Sequence, residues 1–168
     1  MRVYNLHQRV LPAPASRVGE LIDRLAAQDD RLWPGDRWPP IRFDRALGVG
    51  AAGGHGPIRY TVEAYEPGHS VRFRFTGPPG LDGWHAFQLE DSGEGQALLR
   101  HLIDMDVRGQ ARFTWPVVFR PLHDALMEDL LDNAAACCGA ELEAPRWSPW
   151  VRLLRRILRR RSGRRSRG

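Results

Sequence analysis

The chain has 168 residues and a formal net charge of +5, a length that fits one globular domain. All 25 basic residues are Arg, which excludes Schiff-base chemistry, a pyridoxal-phosphate site and a phosphate loop with its lysine. No Ser stands in a G-x-S-x-G elbow, the two Cys (Cys137 and Cys138) are adjacent without zinc spacing, and no apolar run is long enough to span a bilayer. The opening MRVYNLHQRV lacks a signal-peptide core, so the expected compartment is the cytoplasm.

Charge divides the chain in two. Residues 1–144 hold 15 Arg and all 20 acids, whereas residues 145–168 hold 10 Arg and no acid. An acidic domain thus precedes a basic tail.

Residues 2–11 read as a strand ended by Pro12 and Pro14. Val18, Leu21, Ile22 and Leu25 then recur at helical spacing and predict a helix over 14–27. The segment DDRLWPGDRWPP carries Trp33 and Trp38 and predicts a short helical turn with a loop, followed by a strand over 41–47. The run GVGAAGGHGP (48–57) reads as a glycine-rich loop, a flap or a plain connection, since it lacks the phosphate-loop pattern. A β-hairpin follows. Tyr60, Val62 and Ala64 share one side of its first strand, and Val71, Phe73 and Phe75 line one side of the second. This register sets Glu63 against Arg72.

Strand 84–90 turns His85, Phe87 and Leu89 one way; strand 97–107 does the same with Leu99, His101, Ile103, Met105 and Val107, and places His101 opposite Phe87. Such alternation is that of an antiparallel sheet wet on one face. From Thr114, the residues Trp115, Phe119, Leu122, Leu126, Leu130, Ala134 and Cys137 keep helical spacing, with a kink or fresh start expected at Pro121 and a stop at Gly139.

In the tail, Ser148 and Pro149 form a helix start. Trp147, Trp150, Val151, Leu154, Ile157 and Leu158 make one apolar face, and Arg152, Arg155, Arg156, Arg159 and Arg160 cover the other. This is the pattern of a helix lying in an anionic membrane interface. The rivals are docking on the acidic domain or a protein partner, and nucleic acid, which the apolar face disfavours.

The order of elements predicts an α+β domain in which a curved antiparallel sheet faces one long C-terminal helix, after two shorter helices. The residues expected to line the space between them are Trp33, Trp38, Tyr60, Val62, Phe73, Phe75, His85, Phe87, His101, Ile103, Met105, Trp115, Phe119 and Leu122. Three stretches carry a family likeness: residues 9–18, the glycine-rich loop with GPIRYTVEAYEPGHSVRFRF (56–75), and GWHAFQLEDSGEGQALLRHLIDM (83–105) before the long helix. Together they resemble the START-like polyketide cyclase/dehydrase and lipid-transport superfamily (SRPBCC). That resemblance covers residues 1–139 and implies a helix-grip fold. It assigns no catalytic residue.

We therefore expect a helix-grip domain over 1–140 and a linker with basic helix over 141–168, with binding of a small hydrophobic or lipid-like ligand and no cofactor or metal. The enzymatic alternative is a cyclase/dehydratase with His85 and His101 as acid and base. The third alternative is a structural or regulatory protein with a filled core.

Overall fold

The computed structural model describes residues 1–141 and 144–165, the last seven of these by backbone alone. In chain order the elements are β1 (Arg2–Leu11), α1 (Ala15–Asp23), β2 (Arg42–Phe43), β3 (Ala52–His55), β4 (Ile58–Glu66), β5 (Ser70–Gly77), β6 (Leu81–Gly93), β7 (Gln96–Val107), α2 (Ala111–Thr114), a π-helical turn (Trp115–Phe119), α3 (Arg120–Cys137) and α4 (Pro149–Arg165). The seven strands form one antiparallel sheet in the order β1-β7-β6-β5-β4-β3-β2. This is the expected α+β architecture, a sheet gripping a long helix.

Alternation decides which way each strand faces. On β6 and β7 the buried side holds His85, Phe87 and Leu89 with Leu99, His101, Ile103 and Met105. Phe87 pairs with His101 as the alternation predicts. On β4 the pattern breaks: the register slips between Val62 and Ala64, so Ala64 pairs with exposed Arg72, and Tyr65 joins the inner side opposite Val71. Ala64 therefore does not share the side of Tyr60 and Val62. Glu63, the residue left over in the bulge, bonds both Arg72 (2.9 Å) and Arg74 (2.8 Å), so the expected ion pair forms through an irregularity. Tyr65 donates its hydroxyl to Asp23 at the end of α1 (2.9 Å), which also accepts the Gly68 amide. Here α1 crosses the β4–β5 turn so closely that a Cβ on Gly19 would lie 2.3 Å from the Gly68 carbonyl oxygen.

Several boundaries move. The first helix ends at Asp23, and the chain then turns repeatedly; the second short helix is a single turn in which the Trp38 amide donates to Pro34 (2.9 Å), cut short by Pro39 and Pro40. The strand expected over 41–47 shrinks to Arg42–Phe43. The glycine-rich segment is no free flap, because Ala52–His55 is a strand paired on both sides. The loop expected at DSGEG narrows to a tight turn at Glu94 and Gly95, both with positive φ.

Two prolines shape the long helix. Pro116 lies in the widened π turn, and Pro121 sits in the first turn of α3, where its missing N–H costs little. Pro121 also has no amide to offer the carbonyl four residues back; that oxygen, on Val117, instead accepts the indole N–H of Trp150 in the tail (2.8 Å). Toward its C-terminal end α3 packs solidly: Leu126, Met127, Leu130, Leu131 and Ala134 join Ile22, Val71, Phe73 and Leu99 in one core. At the other end Met105, Val107, Ala111 and Trp115 form a second cluster.

The tail helix docks on the domain. Val151 and Leu154 are buried, Trp147 packs against Trp38, and Arg155 is only 7 % exposed. Its guanidinium is sandwiched 4.0 Å from the Trp38 ring and 3.8 Å from the Trp147 ring, and it donates to the Arg37 carbonyl (2.5 Å). Beneath it, Asp129 accepts both indole N–H groups, from Trp38 (2.6 Å) and Trp147 (3.1 Å). This corrects the picture of one apolar face open to a membrane. Trp147, Val151, Leu154 and Arg155 are engaged by the domain: Val151 and Leu154 are buried, and Arg155 lies between two indoles with the Arg37 carbonyl as its acceptor. Arg156 and Ile157 are predicted membrane contacts that stay exposed, whereas Trp150 and Leu158 are partly exposed but also touch the domain, Trp150 through the Val117 carbonyl and Leu158 at the rim of a cavity between sheet and helix. The side chains of Arg159 and Arg160 lie outside the described residues. Among the described residues no helix is long and apolar enough to cross a membrane.

Candidate functional site

Between the concave face of the sheet and the segment from Thr114 to Met127 lies a cavity of about 410 Å³. Its walls follow from the folding pattern. The sheet supplies Tyr60, Phe75, His85, Phe87, His101 and Ile103; the helical side supplies Trp115, Phe119 and Leu122; the turn before β2 closes one side with Trp33 and Trp38. Val62, Phe73 and Met105 are corrections: they point inward but are consumed by the two packed clusters and do not border the space. Hollow space survives where the aromatic side chains hold the sheet and the helix apart. It is absent where Leu130 to Ala134 reach the sheet.

Three kinds of lining residue escape the sequence reading. His55, Pro39 and Ile41 sit in segments whose conformation alternation does not encode. Leu126 and Met127 continue the helical series, and His123 stands four residues after Phe119, a spacing that places it on the same face. Leu158 of the tail also borders the space, so α4 contributes to its wall.

The imidazoles define the chemistry. His85 Nδ1 and His101 Nε2 lie 3.2 Å apart and share a hydrogen bond. Burial, reinforced by neighbouring histidines, pushes both well below the usual imidazole range, so the pair is neutral. One ring must donate to the other. The remaining nitrogens, His85 Nε2 and His101 Nδ1, have no partner in the protein. If His85 donates, its Nε2 is an acceptor and His101 Nδ1 carries the proton; the other tautomer reverses both. In either state the pair offers one donor and one acceptor. His85 is also stacked on Phe73 (4.7 Å between ring centroids) and Phe75 (5.0 Å), which fixes its plane. His55 Nδ1 shares a hydrogen bond with the Tyr60 hydroxyl (3.0 Å), and burial pushes its pKa down to about 3. The same burial raises Tyr60. His123, lowered by burial, lies 5.0 Å from His101 between ring centroids. Four neutral histidines thus ring an otherwise apolar space.

Two surface grooves accompany the cavity. One of about 850 Å³ runs between residues 26–41 and the end of α3. The other, about 510 Å³, lies along the seam of β1 and α3 beside the start of α4 and is bordered by His7, Asp124, Glu128 and Trp147.

No family model and no curated protein matches the sequence. Solved structures do match in shape. A truncated norcoclaurine synthase from Thalictrum flavum superposes with a TM-score of 0.62 at 14 % identity, covering 84 % of this chain and 96 % of its own. CalU16 from Micromonospora echinospora does so at 0.54 and 14 % identity, covering 94 % and 92 %. A conserved protein of unknown function from Enterococcus faecalis gives 0.59 at 14 % identity, covering 97 % and 86 %. At such identities the likeness concerns the fold. In architecture, then, this chain has the helix-grip fold that the family resemblance implies.

Proposed function

We propose that the protein binds a small apolar molecule bearing a hydrogen-bonding oxygen, held between the sheet and the long helix. The observation that carries this reading is the cavity of about 410 Å³, apolar in its walls yet containing an imidazole pair with one nitrogen on each ring left without a partner. The volume falls in the range of about 300–1,000 Å³ usual for small-molecule sites. An unpartnered buried polar atom costs about 1–3 kcal/mol, which a ligand hydroxyl or carbonyl would relieve. Support also comes from norcoclaurine synthase, a structural neighbour with a TM-score of 0.56, seen in complex with dopamine and hydroxybenzaldehyde, both small hydroxylated aromatics. The test is titration with 2-naphthol and, separately, with lauric acid, read by quenching of tryptophan fluorescence. Saturable one-to-one binding of either supports the reading and separates an aromatic from a lipid-like ligand. No saturable binding of either overturns it.

One observation favours a second reading, catalysis of the cyclase/dehydratase kind. The His85–His101 pair can accept a proton at one ring and release one at the other without acquiring net charge, which suits enolisation or loss of water inside an apolar site. His101→Phe should abolish turnover of a β-ketone substrate; retained turnover eliminates this assignment.

For the tail, the exposed Trp150, Arg156 and Ile157 favour contact with an anionic membrane that supplies or receives the ligand. Salt-dependent cosedimentation with phosphatidylglycerol vesicles should disappear on deletion of residues 145–168. Binding that survives the deletion removes this role.

A further inference from the structure

Beyond the ligand cavity, the seam between β1 and α3 gathers histidines and carboxylates in an order that packing alone does not call for. Alternation turns Asn5, His7 and Arg9 toward α3, where Asp124, Glu128 and Asp132 follow at intervals of four. His7 Nε2 lies 3.1 Å from Asp124 Oδ1, and His7 Nδ1 lies 3.1 Å from Glu128 Oε1. His123, next to Asp124, has its ring centroid 5.6 Å from that of His7. Neither nitrogen of His123 has a hydrogen-bond partner, and its Nδ1 stands 3.7 Å from Asp124 Oδ1, too far for a bond. One donor atom each from His7, His123 and Asp124 therefore falls within 4.8 Å of the other two.

We propose that His7, His123 and Asp124 bind a divalent transition-metal cation of the zinc class. Two imidazoles and a carboxylate, with a further position left open, are a donor set suited to such ions. Metal bonds of about 2.0–2.1 Å in tetrahedral array place neighbouring donors about 3.3 Å apart. The observed 3.1 and 3.7 Å straddle that spacing and all three donors lie within 4.8 Å of one another, so side-chain rotation is what closing the site requires.

The surroundings are those of a metal centre. A ligating histidine generally offers its far ring nitrogen to a carboxylate; Glu128 occupies that place on His7 and is itself held by Arg9 (2.9 Å). Asn5 Nδ2 donates to Asp124 (3.0 Å) and orients it. Access is built in as well. His7 and Asp124 border the surface groove of about 510 Å³, whereas His123 borders the ligand cavity, so the triad stands in the wall between the two.

The test uses the full chain stripped with a chelator, then titrated with zinc by calorimetry, with bound metal counted by mass spectrometry. We expect one equivalent bound and a rise in melting temperature on binding. His7→Ala, His123→Ala and Asp124→Asn should each weaken binding by more than about 100-fold, while Glu128→Gln, acting through His7, should cost about tenfold. His69→Ala, at an exposed turn, and the double change Cys137→Ser/Cys138→Ser should leave binding intact. Cobalt should give a visible spectrum without a thiolate charge-transfer band. No bound equivalent, full binding in His123→Ala, or loss of binding in the cysteine variant would overturn the assignment. Should a triad variant misfold, the cobalt spectrum of the unaltered chain and the cysteine variant still decide. Because zinc binding is read without any cavity ligand, it can fail or succeed independently of 2-naphthol binding.

Discussion

Mild acid should destabilise this protein, and the histidines around the cavity set the direction of the effect. In the folded chain His55, His85 and His101 are held neutral by burial, with His55 near 3 and the other two well below the usual value. In the unfolded chain each takes a proton near pH 6.5. The unfolded state therefore binds more protons over the whole interval below 6.5, and stability must decline as pH falls through it. At pH 5 His55, near 3 when folded, removes about 2 kcal/mol, and His85 and His101 add losses of the same sign. The His55 loss alone is a sizeable fraction of the stability of a small domain, about 5–15 kcal/mol. His123 adds to the loss. His7 opposes it: burial lowers its pKa, but hydrogen bonds to Asp124 and Glu128 outweigh burial and raise it. One opposing group does not cancel three. The assay is urea unfolding followed by tryptophan fluorescence from pH 7.5 to 5, with a chelator present. We expect a steep loss of stability below pH 6.5. His85→Phe, which keeps an aromatic ring between Phe73 and Phe75, should reduce the slope by about 1.4 kcal/mol per pH unit. A flat profile, or an unchanged slope in that variant, would mean that the buried histidines do not govern stability in this range.

The remaining predictions address packing and the cavity. Arg155→Ala should destabilise the domain by about 2–3 kcal/mol in urea unfolding, since it removes a desolvated cation from between two indoles; a change under about 0.5 kcal/mol would mean that the tail does not dock in solution. Asp129→Ala strands the indole N–H groups of Trp38 and Trp147 and should cost about 2–4 kcal/mol by the same measurement. Ile103→Trp should fill the cavity, leaving the circular dichroism spectrum native while abolishing 2-naphthol quenching. Gly54→Ala should disrupt β3, because its Cβ would fall 1.9 Å from the Ile58 carbonyl oxygen; lost amide protection over residues 52–58 in hydrogen exchange would report it.

Alternation made most of the sheet legible. His85, Phe87, His101 and Ile103 lie on the cavity side because the side-chain period of two holds along β6 and β7. It failed on β4, where the bulge at Glu63 reverses the facing of Ala64 and Tyr65; bulges depend on the neighbouring strand and have no period of their own. β3 was hidden because glycines have no side chains to alternate, and His55 went with it. His123 was legible in principle, standing four residues after Phe119, but the apolar series ran through its neighbour Leu122. Arg155 shows the limit of helical periodicity. Spacing assigns it to the charged face, whereas its burial depends on Trp38, more than a hundred residues earlier, and no local pattern contains that information.

The widened turn at Trp115–Phe119 and Pro121 together act as a receptor for the tail. A proline usually marks where a helix is damaged; here the oxygen left without an amide donor at position 121 is the atom that Trp150 grasps. Restoring the N–H with Pro121→Ala would offer the Val117 carbonyl a rival donor inside its own helix and loosen the indole from its berth. A repair that strengthens the helix in isolation would thus slacken the molecule at its far end.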